Sequence, residues 1–200
     1  MRLSREFFLR DAEIVARELL GKILVRKIKK KEKKARIVET EAYFDENDPA
    51  SRACKNGDLK ETMKMQAGTI LVYGVHNNWL VNIVTGVEGW ASAVLIRAVE
   101  PLNFDERCSG PGLLTRALKI GKEFHKKNIL NDREIWIENL SRKANSTSLF
   151  CSSSPNSKKS KEFGDCNSIF EICESFRVGV ARDLPRKLRF FIKGNKWVSR

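Results

Sequence analysis

Histidine is nearly missing from this chain: His76 and His125 are the only two. That argues against a His-rich metal site and leaves few ways to build a Ser/His or Cys/His triad. Cysteine is sparse and scattered, at positions 54, 108, 151, 166 and 173. No two form a CxxC pair, so a structural zinc site is not expected, and an odd, scattered set reads as reduced thiols. No apolar run reaches the roughly 18 residues a membrane span needs. The opening MRLSREFFLRDAE carries charge throughout and lacks the apolar core of a signal peptide. These absences point to an intracellular protein with no membrane partner.

Acidic residues are also in deficit. Lys and Arg number 38 against 25 Asp and Glu, a net charge of +13 over 200 residues with a pI near 9.7. Surplus positive charge on this scale suits a polyanion, nucleic acid above all. At 42% hydrophobic the chain can bury a core of one domain.

Hydrophobic patterning predicts α+β, with a largely antiparallel sheet built from hairpins and helices outside it. Asp11 can cap a helix running to Gly21, with Ile14, Val15 and Leu19 on one face. KILVRKI (22–28) and ARIVETEAY (35–43) read as strands around a solvated KKKEKK tip (29–34). Residues 44–62 read as a long irregular loop. TILVYGV (69–75) and WLVNIV (79–84) form a hairpin around His76-Asn77-Asn78. ASAVLIRAVE (91–100), EIWIEN (134–139) and KLRFFIK (187–193) are further strands. Residues 142–168, rich in Ser, Asn and Lys, read as a surface insertion within one domain spanning 1–200.

Alternation places Ile37, Glu39, Glu41 and Tyr43 on one strand face, successive carboxylates roughly 6.5–7 Å apart at Cα. On an exposed face they would be simple surface charges. At a pocket mouth one carboxylate could deprotonate a water that attacks an anomeric carbon, with Tyr43 as a stacking wall. A glycoside hydrolase using both is the weaker alternative, because such carboxylates converge across a cleft. Arg97, inside an apolar strand, must be paired or face a cavity. His76 is either a solvated turn residue or a planar wedge for a duplex. Asn82 is either a satisfied core amide or a reader of a base edge. Ser109-Gly110-Pro111-Gly112 opens a helix whose free N–H groups favour phosphate.

Taken together, ELLGKILVRK (18–27), RIVETEAY (36–43), DPAS (48–51), VNIV (81–84), VLIRAVEPL (94–102), CSGPGLL (108–114), RVGV (177–180) and PRKLRFFIKGNKWVS (185–199) resemble the alkyladenine (3-methyladenine) DNA glycosylase family. The resemblance implies a curved, mostly antiparallel sheet with flanking helices. It implies a monofunctional enzyme of base excision repair that flips an alkylated purine from duplex DNA and hydrolyses its N-glycosidic bond. No cofactor, no metal and no lyase activity are expected, and the protein is expected to act as a monomer. Expected partners are duplex DNA with damaged purines, in the cytoplasm with the nucleoid or in a nucleus.

Carried over residue by residue, the resemblance makes Glu41 the base that activates water. Arg97 and the carbonyl of Val178 help hold that water. Tyr43 and Tyr73 face the flipped base, and Asn82 helps reject guanine. Four departures stand out, one being that the family's TPRN segment in the loop after the hairpin is not preserved. Arg52 occupies the place of the family's usual histidine in the pocket. The usual tyrosine-glycine hairpin tip is missing, which leaves His76, or else Val75, to intercalate. Leu113 replaces the lysine usual after the GPG turn. These departures keep open a non-catalytic nucleic-acid-binding module on the same fold.

Many of the surplus lysines lie in segments that read as surface loops. The logarithm of duplex affinity should therefore fall linearly with the logarithm of salt, with a slope matching far fewer phosphates than the charge surplus of 13. A salt titration of duplex binding measures that slope.

Overall fold

The structure is a computed structural model that describes residues 1–140 and 170–199. The Ser/Asn/Lys-rich stretch at 142–168 lies outside the described residues. Two helices open the chain, α1 (Arg5–Phe8) and α2 (Ala12–Leu19). Asp11 caps α2 by accepting from the Glu13 N–H, satisfying one of the helix's open donors. Ala12, Val15, Ala16 and Leu19 form its buried face. Ile14 was expected on that face but is exposed, because the small Ala12 and Ala16 complete the stripe instead.

The strands are β1 (Ile23–Ile28), β2 (Lys31–Tyr43), β3 (Ile70–Val75), β4 (Asn78–Val84), β5 (Ala93–Pro101), β6 (Ile135–Glu138), β7 (Ile172–Ser175) and β8 (Arg189–Ile192). Two further helices are α3 (Asp58–Met63) and α4 (Pro111–Ala117). Among the described residues the strands form one eight-stranded antiparallel sheet. Its path runs β3-β4-β5-β2-β1-β6, and β8 joins β2 to β7. This is the curved antiparallel α+β architecture expected from the hairpin pattern.

Three boundaries differ from the patterning. The first hairpin turns at Lys29-Lys30 alone, and Lys31 already pairs with Ile28, so most of the lysine run is strand. The region 44–62 is not wholly irregular: it holds a 3-10 turn at Arg52–Cys54 and most of α3. The second hairpin turns on His76-Asn77, with Asn78 already paired to Val75. Both turn residues have positive φ, 44° and 61°, as a two-residue turn matching the strand twist requires. β7 carries no strong strand pattern and was not foreseen.

The two faces of the sheet bury different things. Ile70, Val72, Val94 and Ile96 point into the main core beneath α2 and α4. Their neighbours Leu71, Leu95 and Tyr43 belong to a second, smaller cluster on the opposite face. Register breaks between β2 and β5 leave Val38 and Arg97 without a direct cross-strand partner. Such bulges re-aim side chains. Ile37 and Val38 therefore both enter the main core. Ile37 does not share the face of Glu39, Glu41 and Tyr43, contrary to strict alternation.

One buried ion cluster fastens the loops over the second face. The Arg177 guanidinium donates to both oxygens of Asp48 at 2.7 Å, to Asp183 and to the Ala42 carbonyl at 2.9 Å. Burial works against the Asp48 carboxylate, but its bonds from Arg177 and the Phe44 and Ala50 N–H groups win, holding its pKa below 3.8. A folded-state pKa below the unfolded one adds stability above the ordinary value that disappears as pH falls through the folded pKa. Arg177→Met should destabilise the protein by about 3–5 kcal/mol, because it leaves buried carboxylates unpaired. Urea unfolding at neutral pH and below pH 3.8 checks both: the wild-type advantage over Arg177→Met should shrink in acid.

Candidate active site

Period-two geometry carries three strands' side chains to the second face: Glu39, Glu41 and Tyr43 from β2, Tyr73 from β3, and Leu95 and Arg97 from β5. A cleft of about 350 Å³ opens there, walled by Tyr43, Tyr73, Leu80, Leu95, Arg97 and the loop around Val178. That volume is in the range of small-ligand pockets, roughly 300–1,000 Å³. Pro49, Ala50 and Arg52 form another side of it.

Glu41 lies directly behind these walls and is fully buried. Its Oε1 accepts the Val178 N–H at 2.8 Å, and its Oε2 accepts the Tyr43 hydroxyl at 2.8 Å. Arg97 Nη1 stands 3.2 Å from the carboxylate and also donates to the Val178 carbonyl at 3.2 Å. Three of the cleft's lining residues therefore converge on one carboxylate. The Val178 carbonyl keeps a second lone pair, since one bond does not exhaust a carbonyl oxygen.

Glu39 is equally buried but differently employed. Its oxygens accept from Arg97 Nε at 3.0 Å, Arg189 Nε at 2.6 Å, and the Ser199 N–H and hydroxyl at 2.6 and 2.8 Å. Two carboxylates and two guanidiniums thus cancel within one buried network. Glu39 is the structural partner of Arg97, whereas Glu41 lies behind Tyr43, Arg97 and Val178, which line the cleft. Strand alternation alone left the two glutamates equivalent, the resemblance singled out Glu41, and the two take different partners.

Burial pushes the Glu41 pKa above 4.5, and Arg97, the Val178 N–H and the Tyr43 hydroxyl pull only part of the way back. The Tyr43 hydroxyl is shifted well above its ordinary value by burial and by the adjacent carboxylate, so it serves as a fixed donor.

The other expected site residues fall in several places. Tyr73, Arg52 and Val178 line the cleft with Tyr43 and Arg97. Asn82 is buried and spends its side-chain N–H on the Leu71 carbonyl at 3.2 Å, and it is not among the lining residues. His76 is exposed at the hairpin tip, and its neighbour Val75 lines the cleft. Ser109 takes the Arg107 Nε at 3.2 Å beside Lys196 and Trp197. Gly110 precedes α4 as its cap, while Gly112 closely approaches Asn78, where a Cβ would come within 2.8 Å.

Arg177, Arg182, Arg189 and Ser199 were missed as site residues. Arg177 packs its guanidinium over the Tyr43 ring, 4.6 Å from the centroid. Arg182 lines the cleft. Arg177 directly precedes Val178, and Arg189 and Ser199 belong to the closing PRKLRFFIKGNKWVS segment, so neighbourhood was the available signal.

Removing the Tyr43 hydroxyl takes away one bond to the charged form of Glu41. Tyr43→Phe should therefore move the Glu41 titration midpoint, already above 4.5, higher still. Carboxyl-carbon NMR titration of both proteins measures it, and a midpoint that falls or stays fixed contradicts the arrangement.

The chain is similar to known proteins over nearly its whole length. The family model for methylpurine-DNA glycosylase (MPG) matches residues 6–196. An Aeropyrum pernix protein named "Putative 3-methyladenine DNA glycosylase" is 38% identical, covering 99% of this chain and 93% of that protein. Proteins of the same name from Legionella pneumophila and Borreliella afzelii are 36% and 35% identical, each over 98% or more of both chains. A family model spanning nearly every residue, with full-length relatives above one-third identity, places this chain in the methylpurine-DNA glycosylase family.

Proposed function

We propose that the chain is a monofunctional DNA glycosylase of base excision repair that removes 3-methyladenine-type alkylated purines from duplex DNA. It would act as a monomer, without a cofactor, in the compartment that holds the genome. The observation that carries this reading is the convergence of Tyr43, Arg97 and Val178 on buried Glu41 at the inner wall of the cleft.

The damaged nucleotide rotates out of the duplex and stacks between Tyr43 and Tyr73. Extrusion costs a few kcal/mol and least at damaged or mispaired bases, which contributes selectivity. His76, or Val75, fills the vacated stack. Glu41 takes a proton from a water held with the help of Arg97 and the Val178 carbonyl. The water oxygen bonds to C1′ while the C1′–N bond breaks and its electron pair leaves with the base. An alkylated purine that is already cationic departs neutral and needs little acid assistance, so one base suffices. Arg97 supports the ionised form of Glu41, offsetting part of its burial.

The products are a free base and an abasic site in an uncut strand. The reaction on this reading is hydrolysis without a Schiff-base step. The four donors on Glu39 give no support to an acid–base pair of Glu39 and Glu41.

Glu41→Gln should lower base release from 3-methyladenine-containing duplex by about 10²–10⁴-fold while duplex binding persists. Release that survives the substitution overturns the mechanism. A wild-type protein that binds duplex and releases nothing favours the binding module.

A further inference from the structure

The cleft carries more positive charge than its chemistry uses. Arg97 is matched by Glu39 and Glu41. Arg52 and Arg182 also line the cleft, whose lining holds no carboxylate among the described residues. Glu46 pairs with Lys60, Asp48 and Asp183 pair with Arg177, and Asp58 pairs with His125 and Lys126. Among the described residues, neither guanidinium has a carboxylate partner.

Arg52 is also held in place. It begins the 3-10 turn Arg52–Cys54, whose cap is the Ser51 hydroxyl accepting from the fully buried Ala53 at 3.1 Å. Its guanidinium lies over the Tyr73 ring, 4.6 Å from the centroid. Each of the two aromatic rings thus carries a guanidinium, but Arg177 on Tyr43 is buried and paired with Asp48 and Asp183, whereas Arg52 on Tyr73 lines the cleft.

We propose that Arg52 is a specificity-determining residue that raises release of neutral damaged purines relative to that of the cationic methylpurines the cleft also takes. The inference rests on the glycosylase reading above and deepens it to a substrate charge class. The two lesion classes develop opposite charge. A neutral purine accepts the electron pair of the breaking C1′–N9 bond and departs as an anion. A guanidinium beside it stabilises that charge as it forms. The water oxygen bonds to C1′, Glu41 takes the water's proton, and that proton ends on the released base through solvent. A cationic methylpurine departs neutral, so no anion forms for Arg52 to stabilise. In the bound state it instead meets a like charge at the ring it needs. Arg52 also stacks readily on a neutral purine through its planar face.

The test compares single-turnover release of hypoxanthine from a hypoxanthine-containing duplex with release of 3-methyladenine from methylated duplex. The proteins are wild type, Arg52→Gln, Arg52→Lys and, as a control, Glu41→Gln. Arg52→Gln should slow hypoxanthine release and quicken 3-methyladenine release, lowering their ratio by about tenfold or more. Arg52→Lys keeps the charge and should keep most of the bias. An unchanged ratio in Arg52→Gln, with both activities lost in Glu41→Gln, overturns the role of Arg52 and leaves the glycosylase reading standing. Equal loss of both activities in Arg52→Gln also overturns it, because that marks a general role in binding or folding. Release of neither base by wild type that still binds duplex overturns the glycosylase reading and this proposal with it.

Discussion

One guanidinium, Arg97, stands between two buried carboxylates, and the geometry of the cleft follows from it. Its Nε goes to Glu39, its Nη1 to Glu41 and to the Val178 carbonyl, and its Nη2 to Ser199. These contacts join β2, β5, the loop after β7 and the residues following β8. Buried charges are tolerated only when paired and hydrogen-bonded. The chain answers this by closing the network: Arg189 and Ser199 supply the remaining donors to Glu39. The same closure leaves Glu41 as the carboxylate bonded to three residues that line the cleft.

The two buried ion clusters work in opposite directions. Around Asp48, Arg177 and its neighbours outweigh burial, so the ionised form is favoured and the cluster stabilises the fold. Around Glu41, burial outweighs its partners. A carboxylate whose pKa is raised on folding loses stability as pH rises between the unfolded and folded values, so ionised Glu41 is held at an energetic cost. Residues held against their own preference in a cleft are candidates for chemistry. Arg177 links the clusters physically, because it also packs over the ring of Tyr43, whose hydroxyl reaches Glu41.

Much of the sheet could be read from hydrophobic alternation. The hairpins, the antiparallel order and the capped α2 depend on local periodicity and local hydrogen bonding, which a linear reading contains. Boundaries were less legible. The lysine run reads as a solvated tip, but Lys31–Lys34 extend a strand, because pairing with β1 decides where the turn closes. The face of Ile37 was misplaced for a related reason. A bulge at Val38 changes the parity of the strand, and a bulge is visible only when the partner strand is in place.

Of the candidate site, the sequence alone determined the residue types and their family: Glu41, Tyr43 and Arg97 stand on segments that carry the family resemblance, within a match to the methylpurine-DNA glycosylases over residues 6–196. It could also show the charge surplus and the scarcity of histidine, since composition needs no coordinates. Only the tertiary structure decided which partners each glutamate takes, that Asn82 donates to the Leu71 carbonyl, and that Arg52 lies on Tyr73. The reason is common to all three. A side chain's charge state and availability depend on partners brought from distant positions, such as Val178 137 residues from Glu41 and Ser199 160 residues from Glu39.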